Sequence, residues 1–316
     1  MNNTLFLFLD RTDPQLEERV RSLSPRIETV SRRQLETRPD LLATIEVAYE
    51  GLSREQLSQA TTLKWLQVGG AGVNNFLTPE IATSPLLITN VSGIHARCIT
   101  EHMFGLLLGV TRALYGARES QEKREWKAQG GGVESLYGKT LGILGMGAIG
   151  KQAARVGQAF DMRVIGLRNN PQPVEGVAAM FTPDTRLDFF AQIDVVMNVL
   201  PLTDTTQGFM GDAEFEALPE GAILINAGRG ATIDTGSLLR AMKRGKLKAA
   251  LLDVTDPEPL PADHALWTTP GVIITAHYSG AHPEYNVEAD EIFLDNLQRY
   301  LHGEELHHVV DKHAGY

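Results

Sequence analysis

The most chemically suggestive run in the sequence is Gly145-Met146-Gly147-Ala148-Ile149-Gly150, a GxGxxG pattern. It directly follows an apolar β-type run, Thr140–Leu144, and opens a helical stretch at 151–160. That is the context a dinucleotide-binding turn requires. The first glycine permits a tight turn, the second lets the backbone approach a pyrophosphate, and the third lets helix and strand pack closely. Free N–H groups and the positive end of the helix dipole then hold the phosphates. The bland alternative is a plain strand–turn–helix joint, which the flanking runs disfavour. The next strand, Arg163–Leu167, runs into Arg168-Asn169-Asn170, with no acid nearby until Glu175. Arg168 stands eighteen positions after Gly150, where NAD-binding units carry an Asp or Glu that reads the ribose. A carboxylate there repels a 2′-phosphate, whereas a guanidinium binds it bidentately. The pattern therefore points to NADP(H) as the preferred cofactor, with NAD(H) possible, Arg168 as the main reader and Asn169 assisting. A solvated arginine after a strand is the competing reading.

Three later segments bring polar side chains to the ends of strand-like runs. They are Asn226-Ala227-Gly228-Arg229-Gly230, Leu252-Asp253-Val254-Thr255-Asp256-Pro257-Glu258-Pro259-Leu260-Pro261, and Thr275-Ala276-His277-Tyr278-Ser279-Gly280. Together with the glycine motif they resemble the D-isomer-specific 2-hydroxyacid dehydrogenase family. The resemblance runs from Gly69-Gly70-Ala71-Gly72 to Val309-Val310-Asp311-Lys312, with four motifs in the right order. It implies that Arg229, Glu258 and His277 are the catalytic residues. Independent chemistry makes sense of each. Hydride attack on a 2-keto carbon leaves an alkoxide that needs a proton, and histidine titrates near working pH. Glu258 would tune that histidine. Arg229 offers a fixed fork of donors that can orient the keto and carboxylate oxygens of the substrate.

The resemblance further implies that Asp253 contacts the nicotinamide carboxamide, although a turn cap is the plainer reading. Backbone N–H groups of Gly69, Gly70, Ala71 and Gly72 are implied to take the substrate carboxylate, against the alternative of a simple tight turn. Leu200, Pro201, Thr206 and Ala227 are expected along the cofactor. Among nine histidines, His307, His308 and His313 read as an exposed tail, and no metal site is expected.

These groups need a scaffold, and the chain supplies two alternating α/β series. Strand-like runs at 4–9, 44–49, 64–68 and 86–90 form the first, with Ser53 and Gln56 as a capping box opening a short helix. A longer helix is expected from about Thr100 towards Arg112. A polar stretch, 118–129, then leads to Gly130-Gly131-Gly132. The second series has strands at Thr140–Leu144, Arg163–Leu167, 195–200, Ala222–Asn226, 249–254 and 272–276. Asp234 starts a helix that Gly245 stops, and a last amphipathic helix covers 284–301. Such alternation predicts an α/β fold of two doubly wound, Rossmann-like domains with parallel sheets and an interdomain active-site cleft. The expected division is 1–96 plus 284–316 for a flavodoxin-like substrate domain and 97–283 for the dinucleotide-binding domain.

Composition narrows the function. With 316 residues, 43% hydrophobic and a net charge of −10, the chain suits two globular domains and argues against nucleic-acid or membrane partners. A single cysteine, Cys98, fits a reducing compartment. The apolar run at 5–9 is too short for a membrane span or signal segment, so a cytoplasmic location is expected. The resemblance implies a homodimer through the cofactor domain, with 112–134 as the partner-facing segment. It also orders the members: Glu258 argues against formate dehydrogenases, and the length against phosphoglycerate dehydrogenases with added regulatory domains. Glyoxylate/hydroxypyruvate and broader 2-keto acid reductases, often NADP-dependent, suit Arg168. The rival class is an NAD(P)H-sensing binding protein like the corepressors that share the fold. Which side chain the substrate carries depends on packing around Trp267, Tyr278 and Tyr285.

Overall fold

The structure, a computed structural model, describes residues 4–11, 13–73, 76–127 and 132–315. Gly130, Gly131 and the end of the polar stretch at 128–129 lie outside them. The chain forms two compact units, residues 1–94 with 282–316, and residues 95–281.

The first unit is built on five parallel strands, β1 (Leu5–Leu9), β2 (Ile27–Ser31), β3 (Ile45–Tyr49), β4 (Trp65–Gln67) and β5 (Leu87–Thr89), in the order β2-β1-β3-β4-β5. Apolar side chains alternate between its faces. Phe8, Ala48 and Leu66 join one buried cluster, while Leu7, Val47 and Trp65 join the other. Covering both faces explains why the central strand β1 reads as an unbroken apolar run. The helix Tyr285–His302 lays Phe293, Leu294 and Leu297 on the second cluster. Phe293 stacks on Tyr49 with centroids 4.2 Å apart. Gly303, at φ 72°, closes this helix in the left-handed conformation. β2 and the helix Pro14–Leu23 were not legible in the sequence. The reason is polar patterning: buried Thr29 interrupts the apolar run, and its hydroxyl is satisfied by Glu17 and Arg21 of that helix.

Glu50 ends β3 in a left-handed conformation, φ 61°. Burial pushes its carboxyl above the usual range, Arg11 opposes the shift, and Asp10 and Asp290 reinforce it. Arg11 itself is bound to Asp290, which also accepts from the Tyr49 hydroxyl at 3.0 Å. A raised carboxyl value means that the folded state retains a proton the unfolded chain releases. Stability from this group is thus present at low pH and lost as pH rises through the folded value. Glu50→Gln is expected to raise Tm more at pH 8 than at pH 4.5, and thermal scans showing equal shifts at both would contradict this.

The second unit holds seven parallel strands: β6 (Thr140–Leu144), β7 (Arg163–Leu167), β8 (Ala179–Phe181), β9 (Val195–Asn198), β10 (Ala222–Asn226), β11 (Leu247–Leu252) and β12 (Val272–Ile274). Their order, β12-β11-β10-β9-β6-β7-β8, reverses between β6 and β9. Along β10, Ala222 and Leu224 enter one core while Ile223 and Ile225 enter the other. The helix Ala96–Thr111 packs Ile99, Met103 and Leu107 onto the second core and starts one turn before the expected Thr100. Asp234 caps the helix Thr235–Lys243, and Gly245 follows its end at φ 74°. β11 lies two residues earlier than the expected 249–254; just past it the Asp253 N–H still bonds the Asn226 carbonyl at 2.9 Å, while its carboxylate turns into the following loops. Two parallel α/β sheets of doubly wound order are what the alternating pattern predicted. No helix among the described residues is long and apolar enough to cross a membrane.

Candidate active site

Strand register places the polar segments of the second unit side by side. Pairings Leu167–Leu144, Leu144–Asn198, Asn198–Asn226, Asn226–Leu252 and Leu252–Ile274 align the carboxyl ends of six strands. The next residues, Arg168, Gly145, Val199, Ala227, Asp253 and Thr275, therefore form a single crest. In open parallel sheets, ligands sit beyond this edge at the reversal of strand order, here between β6 and β9.

Gly145 takes φ 96°, a turn few side chains tolerate. A Cβ on Gly150 would overlap the Gly145 carbonyl, so the helix Ala148–Ala159 presses directly on the strand that feeds it. Met146 is buried, while Ala148 and Ile149 begin the helix. Arg168 follows β7, half-buried, with its backbone N–H on Phe181 O at 3.1 Å. Among the described residues no carboxylate pairs with it; Asn169 beside it is exposed.

Arg229, Glu258 and His277 lie in the three loops after β10, β11 and β12. His277 Nδ1 meets Glu258 Oε2 at 2.8 Å, and Glu258 Oε1 accepts the Thr255 N–H at 2.9 Å. The carboxylate is thus braced at both oxygens, and Nε2 is the ring nitrogen turned away from it. His277 adopts φ 55°, a left-handed conformation that costs about 1–3 kcal/mol and persists only where surroundings impose it. Arg229 Nη1 donates to the Gly228 carbonyl at 2.8 Å. Burial pushes its guanidinium below the ordinary value, while the Glu258 charge acts in the opposite direction. Backbone at Gly230 runs so close to the Thr255 carbonyl that no Cβ fits, which brings the Arg229 and Glu258 loops together.

Several supporting residues escaped the sequence reading. Asn198 Nδ2 donates to Asn226 Oδ1 at 3.1 Å and Thr232 Oγ1 at 2.7 Å, and the Thr232 hydroxyl donates to the Arg229 carbonyl at 2.6 Å. All three side chains are buried; a polar residue ending an apolar run was the available signal. Leu200 is buried after β9, and Thr206 donates to the Pro201 carbonyl at 2.6 Å, which holds that bend. Ala227 N–H bonds the Asn198 carbonyl at 3.1 Å. Asp253 is 2% exposed and accepts from the Thr275 hydroxyl at 2.6 Å and the Tyr278 and Ser279 N–H groups at 3.3 and 3.2 Å. No cluster of metal-ligating side chains occurs among the described residues.

The remaining sequence candidates, Gly69–Gly72, follow β4 in the first unit. Gly69 is buried, its carbonyl accepts from the Tyr285 hydroxyl, and the Glu50 carboxylate occupies the place of a Cβ. Ala71 and Gly72 are exposed, and Asn90 Nδ2 holds the Ala71 carbonyl at 3.0 Å.

Residues 104–279 match the sequence profile of the D-isomer specific 2-hydroxyacid dehydrogenase, NAD binding domain. Glyoxylate reductase from Aeropyrum pernix is 33% identical over 81% of this chain and 78% of its own. The crystal structure of a D-isomer specific 2-hydroxyacid dehydrogenase family protein from Aeromonas salmonicida is 32% identical, with a TM-score of 0.85 over 98% of this chain and 99% of that one. A glyoxylate/hydroxypyruvate reductase from Sinorhizobium meliloti, described as NADPH-dependent and solved with NADP and sulfate, is 27% identical. Its TM-score is 0.84 over 99% of this chain and 100% of that one.

Proposed function

The chain belongs to the D-isomer-specific 2-hydroxyacid dehydrogenases, and we propose that it reduces a small 2-keto acid to the D-2-hydroxy acid with NADPH. The observation that carries this reading is the imidazole–carboxylate pair, His277 Nδ1 to Glu258 Oε2 at 2.8 Å, on the same crest as the glycine turn.

The residues present fit a dinucleotide. Gly147 has nothing within 4 Å of where a Cβ would stand, so its backbone is open to a pyrophosphate. The Ala148–Ala159 helix points its N-terminus at the same place. The dihydronicotinamide, when bound, supplies the hydride. Arg229 then holds the keto oxygen and one carboxylate oxygen, and its fixed charge stabilises the developing alkoxide. His277 delivers the proton from Nε2, and Glu258 at Nδ1 fixes the orientation of the ring for that transfer. The family likeness supports a further contact of Asp253 with the nicotinamide carboxamide, for which one lone pair of Oδ2 remains. It also supports the loop 69–72 as donor of backbone N–H groups to a carboxylate.

Two features support NADPH over NADH: a guanidinium at 168 with no carboxylate partner among the described residues, and the NADP held by the Sinorhizobium relative. A homodimer through the cofactor unit is supported by exposed apolar side chains around 112–134, where Leu114 is 56% exposed and Trp126 fully so. The decisive assay follows oxidation of NADPH with glyoxylate, hydroxypyruvate, pyruvate and branched 2-keto acids. Turnover of at least one acid is expected. Tight NADPH binding with turnover of none would instead indicate nucleotide sensing and remove the catalytic reading.

A further inference from the structure

His102 sits mid-helix in Ala96–Thr111, with its side chain only 17% exposed. Its Nε2 lies 2.9 Å from the Thr275 hydroxyl and 3.6 Å from Asp253 Oδ1, and its ring meets Tyr278 edge-on at 5.3 Å. The direction of the chain of bonds is settled by its far end. The Thr275 hydroxyl donates to Asp253 Oδ1 at 2.6 Å, which commits its single proton. Nε2 of His102 must therefore carry a proton and donate to Thr275. Asp253 in turn accepts the N–H groups of Tyr278 and Ser279, and its carbonyl accepts the His277 N–H at 2.8 Å. Those three N–H groups are the ones that fasten the left-handed turn at His277.

We propose that His102 is a positioning residue for the reaction: through Thr275 and Asp253 it holds the strained turn that presents His277 to the substrate. This rests on the assignment of His277 as proton donor. The His102–Thr275 arm of the relay touches neither substrate nor cofactor. Its loss therefore lowers the fraction of His277 in reacting geometry without weakening the nucleotide site. A displacement of about 1 Å at a reacting group can cost about 10²-fold.

Glutamine offers an amide N–H at about the reach of Nε2, and leucine does not. His102→Leu is expected to lower kcat about 10- to 100-fold while the Kd for NADPH, read by fluorescence, stays within twofold. His102→Gln is expected to recover most of kcat. Thr275→Val should behave like the leucine variant and Thr275→Ser like wild type, which keeps the test open if His102→Leu folds poorly. Equal kcat for His102→Leu and wild type, or a glutamine variant no better than leucine, would overturn the relay. Wild-type turnover tests the underlying reading separately. A crystal structure of His102→Leu supplies an arm free of turnover: an undisturbed turn at 275–279 with the His277–Glu258 bond intact would also end the proposal.

Discussion

His277→Asn is expected to reduce turnover by about 10²–10⁴, the usual worth of a positioned general acid, while leaving NADPH affinity nearly unchanged. Asparagine keeps a donor of similar reach to Nδ1 and can still meet Glu258, so the loop geometry survives. It cannot carry a proton at neutral pH to the alkoxide. The loss should fall on kcat and kcat/KM alike, because the missing interaction exists only in the transition state. Stopped-flow measurement of the hydride step with glyoxylate or hydroxypyruvate provides the check. A variant within threefold of wild type would remove His277 from the role of donor. Such a result would leave the Glu258 contact as a structural brace for the turn at φ 55°.

Arg168→Asp should invert cofactor choice. A charge-assisted hydrogen bond contributes about 1.5–3 kcal/mol and each 1.4 kcal/mol is about tenfold. Loss of a bidentate phosphate pair, with repulsion added, should lower the ratio of kcat/KM for NADPH over NADH by about 10²–10³. The new carboxylate should also improve NADH in absolute terms, since it can accept from the ribose hydroxyls. Unchanged preference would show that the 2′-phosphate is read elsewhere. Arg168 is suited to this experiment because no carboxylate among the described residues pairs with it, so reversal of its charge strands no partner.

Much of the fold was legible because both sheets are parallel and covered on both faces. That burial writes each central strand into the sequence as an apolar run closed by a polar or glycine residue, as in Thr140–Leu144 before Gly145 and Ala222–Asn226 before Ala227. β2 and β8 were not legible. The first is interrupted by buried Thr29, the second is three half-buried residues, and both are edge strands whose pairing is decided by the neighbouring strand.

For the site, the residue types and their order along the chain were set by the sequence: a glycine turn, an arginine where an acid would select NAD, and Arg229, Glu258 and His277 each just past a strand. Those features are local, so a linear string carries them. Only the tertiary structure decided that six strand ends fall in one register, that Glu258 faces Nδ1 of His277, and that His102 reaches Thr275 across 173 positions of chain. Side-chain hydrogen bonds between distant loops leave no periodic trace in a sequence, because each partner alone is an ordinary polar residue whose neighbour is chosen by strand pairing and helix docking.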